Sequence, residues 1–599
     1  MRPMIKTDIQ IAVCGSAGDG TIATGDILNQ AMARAGYRVI AFDVYPAEIR
    51  GFGECIACTR ITSEQVYSLK KQSDMLVSLN DTHAIAHVPE VRDYGAVIYD
   101  DAPITPLKEG AHISGHIKAG QLPYGLPMRE LSERATSAAK SRNMVALGFV
   151  AGLYGLPREV FHQTIAAKFK GKADTITEGN IKAFDAGFEE GERTFQLDTV
   201  RIGAPTSSES NAVVINGNRA VVRGCLDAKV ATFFGYPITP ATTILEMLAA
   251  QLPKQGGKVL QTEDEISAIG ATIGAGYTGA RAATATSGPG LALMTEMLGL
   301  GVMAEVPCVI FVSQRGGPST GMPTTTEQSD LNLAVFGGSG DAPRIVLAPT
   351  NVEGCYKCAG KAFELAETYQ APVIVLLDLY LSNRLEAVSL PAKSPFAANL
   401  AKGTTARDLA DGYARFALTE DHISPRALPG QEGGIHTVTG LEHTEAGRPK
   451  DSPEVHNKMT VKRHDKLAPA VHHPDLTTAK RFGDEGKVDV GILTWGSTFG
   501  EALEAVIEAR NAGIRCAAMK VVMLSPLPID AIRSFCEDCQ EILVPELNHQ
   551  GQFANLVTAA TARSMHRLDR VSGRPMHVED IVAEIRRLAG GKKRQIAAA

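Results

Sequence analysis

The chain has 599 residues, 44% hydrophobic and 21% charged, with a formal net charge of −6. That length exceeds a single hydrophobic core and predicts three or four domains of ordinary globular composition. An acidic balance with no basic tract beyond Lys592-Lys593-Arg594 argues against nucleic acid as a partner, and no apolar run is long enough to cross a bilayer.

The N-terminus leads directly into a buried-strand pattern at about residues 8–14, without a signal peptide, which predicts a soluble cytoplasmic protein. A glycine-rich turn and an amphipathic helix from Thr21 to Ala35 follow. Further strands are expected ending near Asp43 and at 74–79 and 96–100, with a helix at 143–155. Strands alternating with helices predict a parallel α/β sheet closing near residue 195. Residues 204–211 read as a linker. A second α/β unit spans 212–388, with its clearest strands at 230–237, 280–288, 308–316, 344–350 and 371–380. Residues 389–486, rich in Pro, Gly and His, read as a long connection, with seven histidines between His422 and His473. A third α/β unit spans 487–590, and the last few residues read as a loose tail.

Six of the ten cysteines fall in CxxC pairs: Cys55/Cys58, Cys355/Cys358 and Cys536/Cys539. Each pair lies in a different domain, so no four-ligand metal site forms from them, and a place in cores is the simpler reading. No metal-ligand set is assigned to the chain.

The N-terminal Gly15-x-x-Gly18-x-Gly20 loop sits between a strand and a helix, where its amides could cradle phosphate. It lacks the GxGxxG spacing and the Walker lysine, so a plain tight turn competes with a nucleotide or coenzyme A site. Asp43, ending the next strand, has the place of a ribose-binding acid.

Three loops of the second unit follow strands, where ligands of parallel sheets bind. Tyr236-Pro237-Ile238-Thr239-Pro240 is stiffened by two prolines. Thr239 either N-caps the following helix, with Pro240 at its first position, or presents its hydroxyl to a ligand. Thr286-Ser287-Gly288-Pro289-Gly290 is the second loop. The third runs from Gln314 to Thr324, where Arg315 stands among small residues and hydroxyls such as Thr320. A planar guanidinium there suits a carboxylate, or is simply solvated. Between the first two loops a helix begins at Glu263-Asp264-Glu265, with Ile266, Ile269 and Ile273 marking one face and Gly270 and Gly274 a smooth strip. Glu265 either closes a capping box with Thr262 or serves as a catalytic carboxylate.

Together these motifs, with Thr326–Leu331, Thr494–Ser497, Leu524–Pro528 and Pro545–Gln552, resemble the α subunit of thiamine-diphosphate-dependent 2-oxoacid:ferredoxin oxidoreductases, with the γ domain fused in front. The resemblance is strongest to those acting on 2-oxoglutarate. It implies three α/β domains: a γ-type domain, a pyrimidine-binding domain and a transketolase C-terminal-like domain. It implies that Glu265, rather than Glu263, meets N1′ of the coenzyme pyrimidine and so promotes loss of the C2 proton. Pro237, Ser287 and Gly288 would line the coenzyme. Tyr236, Thr239, Arg315 and Thr320 would line the oxoacid pocket, with Arg315 on the carboxylate.

Coenzyme A would take the acyl group, giving succinyl-CoA and CO2 reversibly. The only GDG, Gly18-Asp19-Gly20, lies in the wrong domain for the diphosphate–Mg2+ motif. The resemblance therefore implies a β subunit carrying that site and a [4Fe–4S] cluster, an (αβ)2 assembly, ferredoxin as acceptor, and room for a further subunit passing electrons to NAD. Pyruvate or a branched oxoacid remains an alternative substrate. A nucleotide- or coenzyme-A-binding enzyme and a non-catalytic scaffold are the readings from other classes.

Overall fold

A computed structural model describes residues 5–44, 53–102, 112–136, 139–194, 201–205, 212–396 and 412–596. Most of the 204–211 linker lies outside the described residues. Two compact units result, one formed by 1–215 with 384–390, the other by 216–383 with 391–599.

The first unit is built on an eight-stranded sheet. Its strand Asp8–Ser16 alternates: Ile9, Ile11 and Val13 join one core, Ala12 and Cys14 the other. The first core is covered by helices Thr21–Arg34 and Arg142–Tyr154. The latter packs on helix Asp174–Thr194 backbone to backbone, because Gly148, Gly152, Gly187 and Gly191 carry no Cβ that would overlap the facing carbonyls.

The sheet is not wholly parallel. Strand Glu54–Thr62, a run whose cysteine spacing hid its strand character, pairs antiparallel with Asp8–Ser16 on one side and with Arg38–Val44 on the other. Asp43 is therefore two strands away from the glycine loop instead of on the adjacent strand, and the ribose-acid reading fails on topology. Strands Leu385–Val388 and Val213–Asn216 complete that edge of the sheet.

The second unit holds two sheets. In the seven-stranded one the order is Lys258–Gln261, Thr232–Gly235, Ala282–Thr286, Cys308–Gln314, Pro372–Asp378, Ile345–Leu347 and Met523–Ser525. The first six run parallel, and the last joins antiparallel. The five-stranded sheet centres on Val488–Thr494, flanked in parallel by Cys516–Val521 and Cys539–Glu546.

Gln328 joins the two layers. Its amide nitrogen donates to Trp495 O (3.2 Å), and Leu547 N donates to its amide oxygen (3.2 Å). Asn548 Nδ2 donates to Gln328 O (3.0 Å). Glu546, buried behind them, accepts from Phe553 N and Ala554 N and so caps helix Gln552–Thr561. The C-terminal helix Val578–Ile596 extends through most of the expected loose tail.

The long connection is fastened by buried charge. Helix Pro453–Asp465 directs Lys462 at Glu305, and Lys466 Nζ lies 2.8 Å from Glu305 Oε2. Arg415 Nη2 donates to the Glu305 carbonyl (2.7 Å). Burial opposes ionisation of Glu305, but three surrounding cations dominate and hold its carboxyl at about 2. Three cations on one anion are too many, and burial brings Lys466 down to about 8. Among the described residues the histidines of this connection form no metal cluster. His443 instead packs against Phe416, with ring centroids 4.1 Å apart. All ten cysteines are free, and nine are buried.

Glu305→Gln leaves two buried ammoniums without a counter-charge, which is expected to cost about 3–5 kcal/mol. Denaturant unfolding followed by Trp495, the single tryptophan, would measure it. A carboxyl depressed from 4.5 to about 2 stabilises fully above its unfolded value. The variant's deficit should therefore persist from pH 8 to 5 and close as pH falls towards about 2.

Candidate active site

Strands Lys258–Gln261, Thr232–Gly235, Ala282–Thr286 and Cys308–Gln314 are neighbours and parallel, so the segments leaving their carboxyl ends meet at one edge. The first leads into helix Glu265–Tyr277. Its N-cap is Asp264, whose Oδ1 accepts from Ser267 N at 2.7 Å, while Thr262 Oγ1 donates to Asp264 O at 2.9 Å. The Thr262–Glu265 capping box does not form, because Asp264 takes that part and the Thr262 hydroxyl is spent on its carbonyl. Glu265 is thereby free of structural duty. It is 6% exposed, and no described residue hydrogen-bonds its carboxylate, whereas Glu263 points to solvent.

Gly290 makes room for Glu265. A Cβ at Gly290 would lie 2.6 Å from Glu265 Oε1 and 2.7 Å from its Cγ. Across the site, Arg315 is 7% exposed; its Nη1 donates to Thr239 O at 2.8 Å, and its Nε has no partner. Burial lowers the Arg315 pKa, and the carboxylates of Asp330 and Glu265 oppose that fall. Asp330 is the complement: burial, with Glu327 adding repulsion, pushes it up to about 6, and Arg315 pulls it back. Its Oδ2 is buried without a partner beneath Gly288, where any Cβ would overlap it. Ser287 Oγ is likewise buried and unpartnered, at the start of helix Gly288–Met303. Buried polar atoms are normally satisfied. Orphans on Ser287, Arg315 and Asp330 around an unpaired Glu265 carboxylate fit a polar organic group supplied from outside.

The expected residues divide into a floor and a rim. Glu265, Ser287, Gly288 and Arg315 form the buried floor. Tyr236 (40% exposed), Pro237, Thr239 and Thr320 lie at the surface. Arg315 is joined to Thr239 through the backbone carbonyl, and no hydrogen bond joins Thr320 to the floor. Thr239 is no helix cap: helix Thr242–Gln251 starts later, with Ala241 as its N-cap. Ile266 is exposed rather than part of the buried face, and Gly274 faces open space. The close approach occurs at Gly276, packed on the Pro307 carbonyl. Asp330 was not among the expected site residues; its only local signal is its place before the buried Leu331.

The N-terminal glycine loop forms a tight turn. Gly18 and Gly20 have left-handed φ of 99° and 82°. A Cβ at Gly15 would lie 2.5 Å from Thr21 Oγ1, and one at Gly20 2.5 Å from Asn143 Nδ2. Asp19 accepts from Ser16 N (2.8 Å) and Arg142 Nη2 (2.6 Å), so the GDG carboxylate is committed to the turn.

Gly290→Ala tests the seat of Glu265. Displacing the carboxylate should lower turnover by about tenfold or more, with overpacking costing about 1–3 kcal/mol. Steady-state kinetics should show the loss in kcat with KM for the organic acid nearly unchanged.

Parallel strand ends gather a buried carboxylate, a buried guanidinium and one orphaned hydroxyl, an arrangement with the polarity to suit an anionic organic ligand. Family models match most of the chain. Residues 223–462 match the thiamine-diphosphate-binding domain of pyruvate flavodoxin/ferredoxin oxidoreductases, residues 10–190 the pyruvate ferredoxin/flavodoxin oxidoreductase domain, and residues 488–581 core domain II of pyruvate:ferredoxin oxidoreductase. The α subunit of 2-oxoacid:ferredoxin oxidoreductase 2 from Aeropyrum pernix is 32% identical over 97% of this chain and 98% of its own. The 2-oxoglutarate oxidoreductase subunit KorA of Mycobacterium tuberculosis is 31% identical over 98% and 92%. The solved 2-oxoglutarate:ferredoxin oxidoreductase from Magnetococcus marinus, with 2-oxoglutarate, coenzyme A and succinyl-CoA bound, superposes with a TM-score of 0.91 at 37% identity, covering 98% of this chain and all of that one. The chain belongs to the 2-oxoacid:ferredoxin oxidoreductase family, as an α subunit and so as one part of a multi-subunit enzyme. No helix among the described residues is long and apolar enough to cross a membrane.

Proposed function

We propose that this α subunit acts in the coenzyme-A-dependent oxidative decarboxylation of 2-oxoglutarate to succinyl-CoA and CO2, with Glu265 holding the aminopyrimidine edge of thiamine diphosphate. The observation that carries the reading is the buried, unpartnered Glu265 carboxylate facing Arg315 across parallel strand ends. When bound, thiamine diphosphate supplies the nucleophilic carbon and the electron sink for decarboxylation. Glu265 would hold a proton at the pyrimidine N1′ edge of the bound coenzyme. Ser287, Gly288 and Pro237 would line the coenzyme. Arg315 pairs with the carboxylate of the oxoacid, held in place through Thr239 O, and Tyr236, Thr239 and Thr320 form the polar rim through which the second carboxylate is recognised.

A β subunit carries the diphosphate, Mg2+ and a [4Fe–4S] cluster in an (αβ)2 assembly, with ferredoxin as acceptor and a further subunit linking to NAD where one is present. The Gly15–Gly20 loop serves as a turn in this reading, and coenzyme A is a cosubstrate of the whole enzyme. The 2-oxoglutarate preference is supported by the substrates named for the relatives from M. tuberculosis and M. marinus.

Oxoacid-dependent dye reduction by the chain reconstituted with its partner subunit tests the proposal. Activity should require thiamine diphosphate and coenzyme A and favour 2-oxoglutarate over pyruvate and branched oxoacids. Equal or greater kcat/KM for pyruvate would overturn the substrate assignment, and activity without the coenzyme would overturn the role of Glu265.

A further inference from the structure

The first unit contains a cluster that the active site does not use. Cys14 and Ser16 point to one face of strand Asp8–Ser16, and the antiparallel register sets Glu54 opposite Ser16. Cys14 and Glu54 are thus diagonal neighbours on that face. Helical residues 81–90 cover the same face, placing Ala84 and Val88 against Cys14 and delivering His87 beside it. The Cys14 Sγ, a Glu54 carboxylate oxygen and a His87 ring nitrogen all lie within 4.8 Å of one another. His87 Nε2 is 2.6 Å from Glu54 Oε1, while its other nitrogen, Nδ1, is 2.8 Å from Glu90 Oε2. The Cys14 thiol is fully buried and makes no hydrogen bond to a described residue.

We propose that Cys14, Glu54 and His87 form a binding site for a zinc ion, with Glu90 orienting the imidazole. Thiolate, imidazole and carboxylate are the donor set zinc prefers, and three protein ligands leave a fourth position for water or an exogenous donor. A carboxylate on the second histidine nitrogen is the usual arrangement that fixes the tautomer, leaving Nε2 to the metal. Zinc bond lengths of about 2.0–2.3 Å put tetrahedral donors roughly 3.3–3.6 Å apart. Forming the site therefore needs Glu54 and His87 to part by less than about 1 Å and Cys14 to close by a similar amount. The way in is through the Glu54 side chain, 37% exposed, and His87, 15% exposed, whereas the thiol forms the closed end. Positions 14, 54 and 87 carry no sequence spacing that would announce such a site.

The test uses the full chain, stripped with chelator, re-equilibrated with zinc, passed through gel filtration and analysed for metal. The expected result is about one retained zinc per chain, with retention falling at least about tenfold in Cys14→Ser and in His87→Gln. Cys55→Ser, on the opposite face of its strand from Glu54, should bind like wild type. Zinc should raise the thermal midpoint of the wild type and of Cys55→Ser but of neither ligand variant, since a ligand stabilises only the fold that binds it. Cobalt should give a thiolate-to-metal charge-transfer band that Cys14→Ser lacks. A wild-type chain that retains no zinc, or ligand variants that retain it with unchanged stoichiometry, would overturn the site. Circular dichroism of each variant distinguishes loss of a ligand from loss of fold, and zinc retained by a folded His87→Gln chain alone suffices to reject it.

Discussion

Glu265→Gln is expected to reduce turnover by about 10²–10⁴-fold, the range spanned by loss of a positioned general acid–base group. The substitution keeps the volume of the side chain beside Gly290, so the helix start, capped independently by Asp264, has no reason to change. What is lost is a group able to hold a proton against N1′ and release it. Hydrogen–deuterium exchange at coenzyme C2, followed by NMR in the assembled enzyme, should slow in parallel with kcat. Normal exchange in the variant would remove Glu265 from the chemistry. Glu263→Gln, at an exposed position one residue before the cap, should remain near wild type and serves as the control.

Arg315→Ala is expected to lower kcat/KM for the oxoacid by about 10²-fold, mainly through KM, because a charge-assisted bond to a carboxylate contributes about 1.5–3 kcal/mol. Electrostatics add to the loss. Arg315 is the cation that counters both Asp330 and Glu265, so its removal leaves a pocket for an anion lined by two carboxyls. Arg315→Lys should recover only part of the activity, since a point charge cannot reproduce the fork that reaches Thr239 O and a ligand together. An unchanged KM in Arg315→Ala would place the oxoacid elsewhere.

Local signals explain what could be read directly from the chain. The central strands of the seven-stranded sheet are largely apolar runs, and the predicted site residues come just after two of them. Residues 308–314 lead straight to Arg315, and 282–286 to Ser287. Asp264, not Thr262, caps the helix, a role not assigned to it from the sequence although Asp is a good capping residue. Its extended backbone (φ −155°, ψ 179°) marks the cap. Asp330 was hidden for a different reason: it enters the site because the fold lays it under Gly288, 42 positions earlier in the sequence. Glu305 meets Lys462 and Lys466 across separations of 157 and 161 residues. The antiparallel strand 54–62 escaped because its alternation is short and its CxxC spacing invites a metal or core reading. In each case the missing information is long-range pairing, which no local pattern encodes.

The Gln328 amide has a mechanical consequence. The segment bearing Asp330 is clasped at Trp495, Leu547 and Asn548, so the two α/β layers cannot swing apart without unlatching the wall of the pocket. A substitution such as Asn548→Ala, made in a neighbouring layer, would be felt as a loosened catalytic wall.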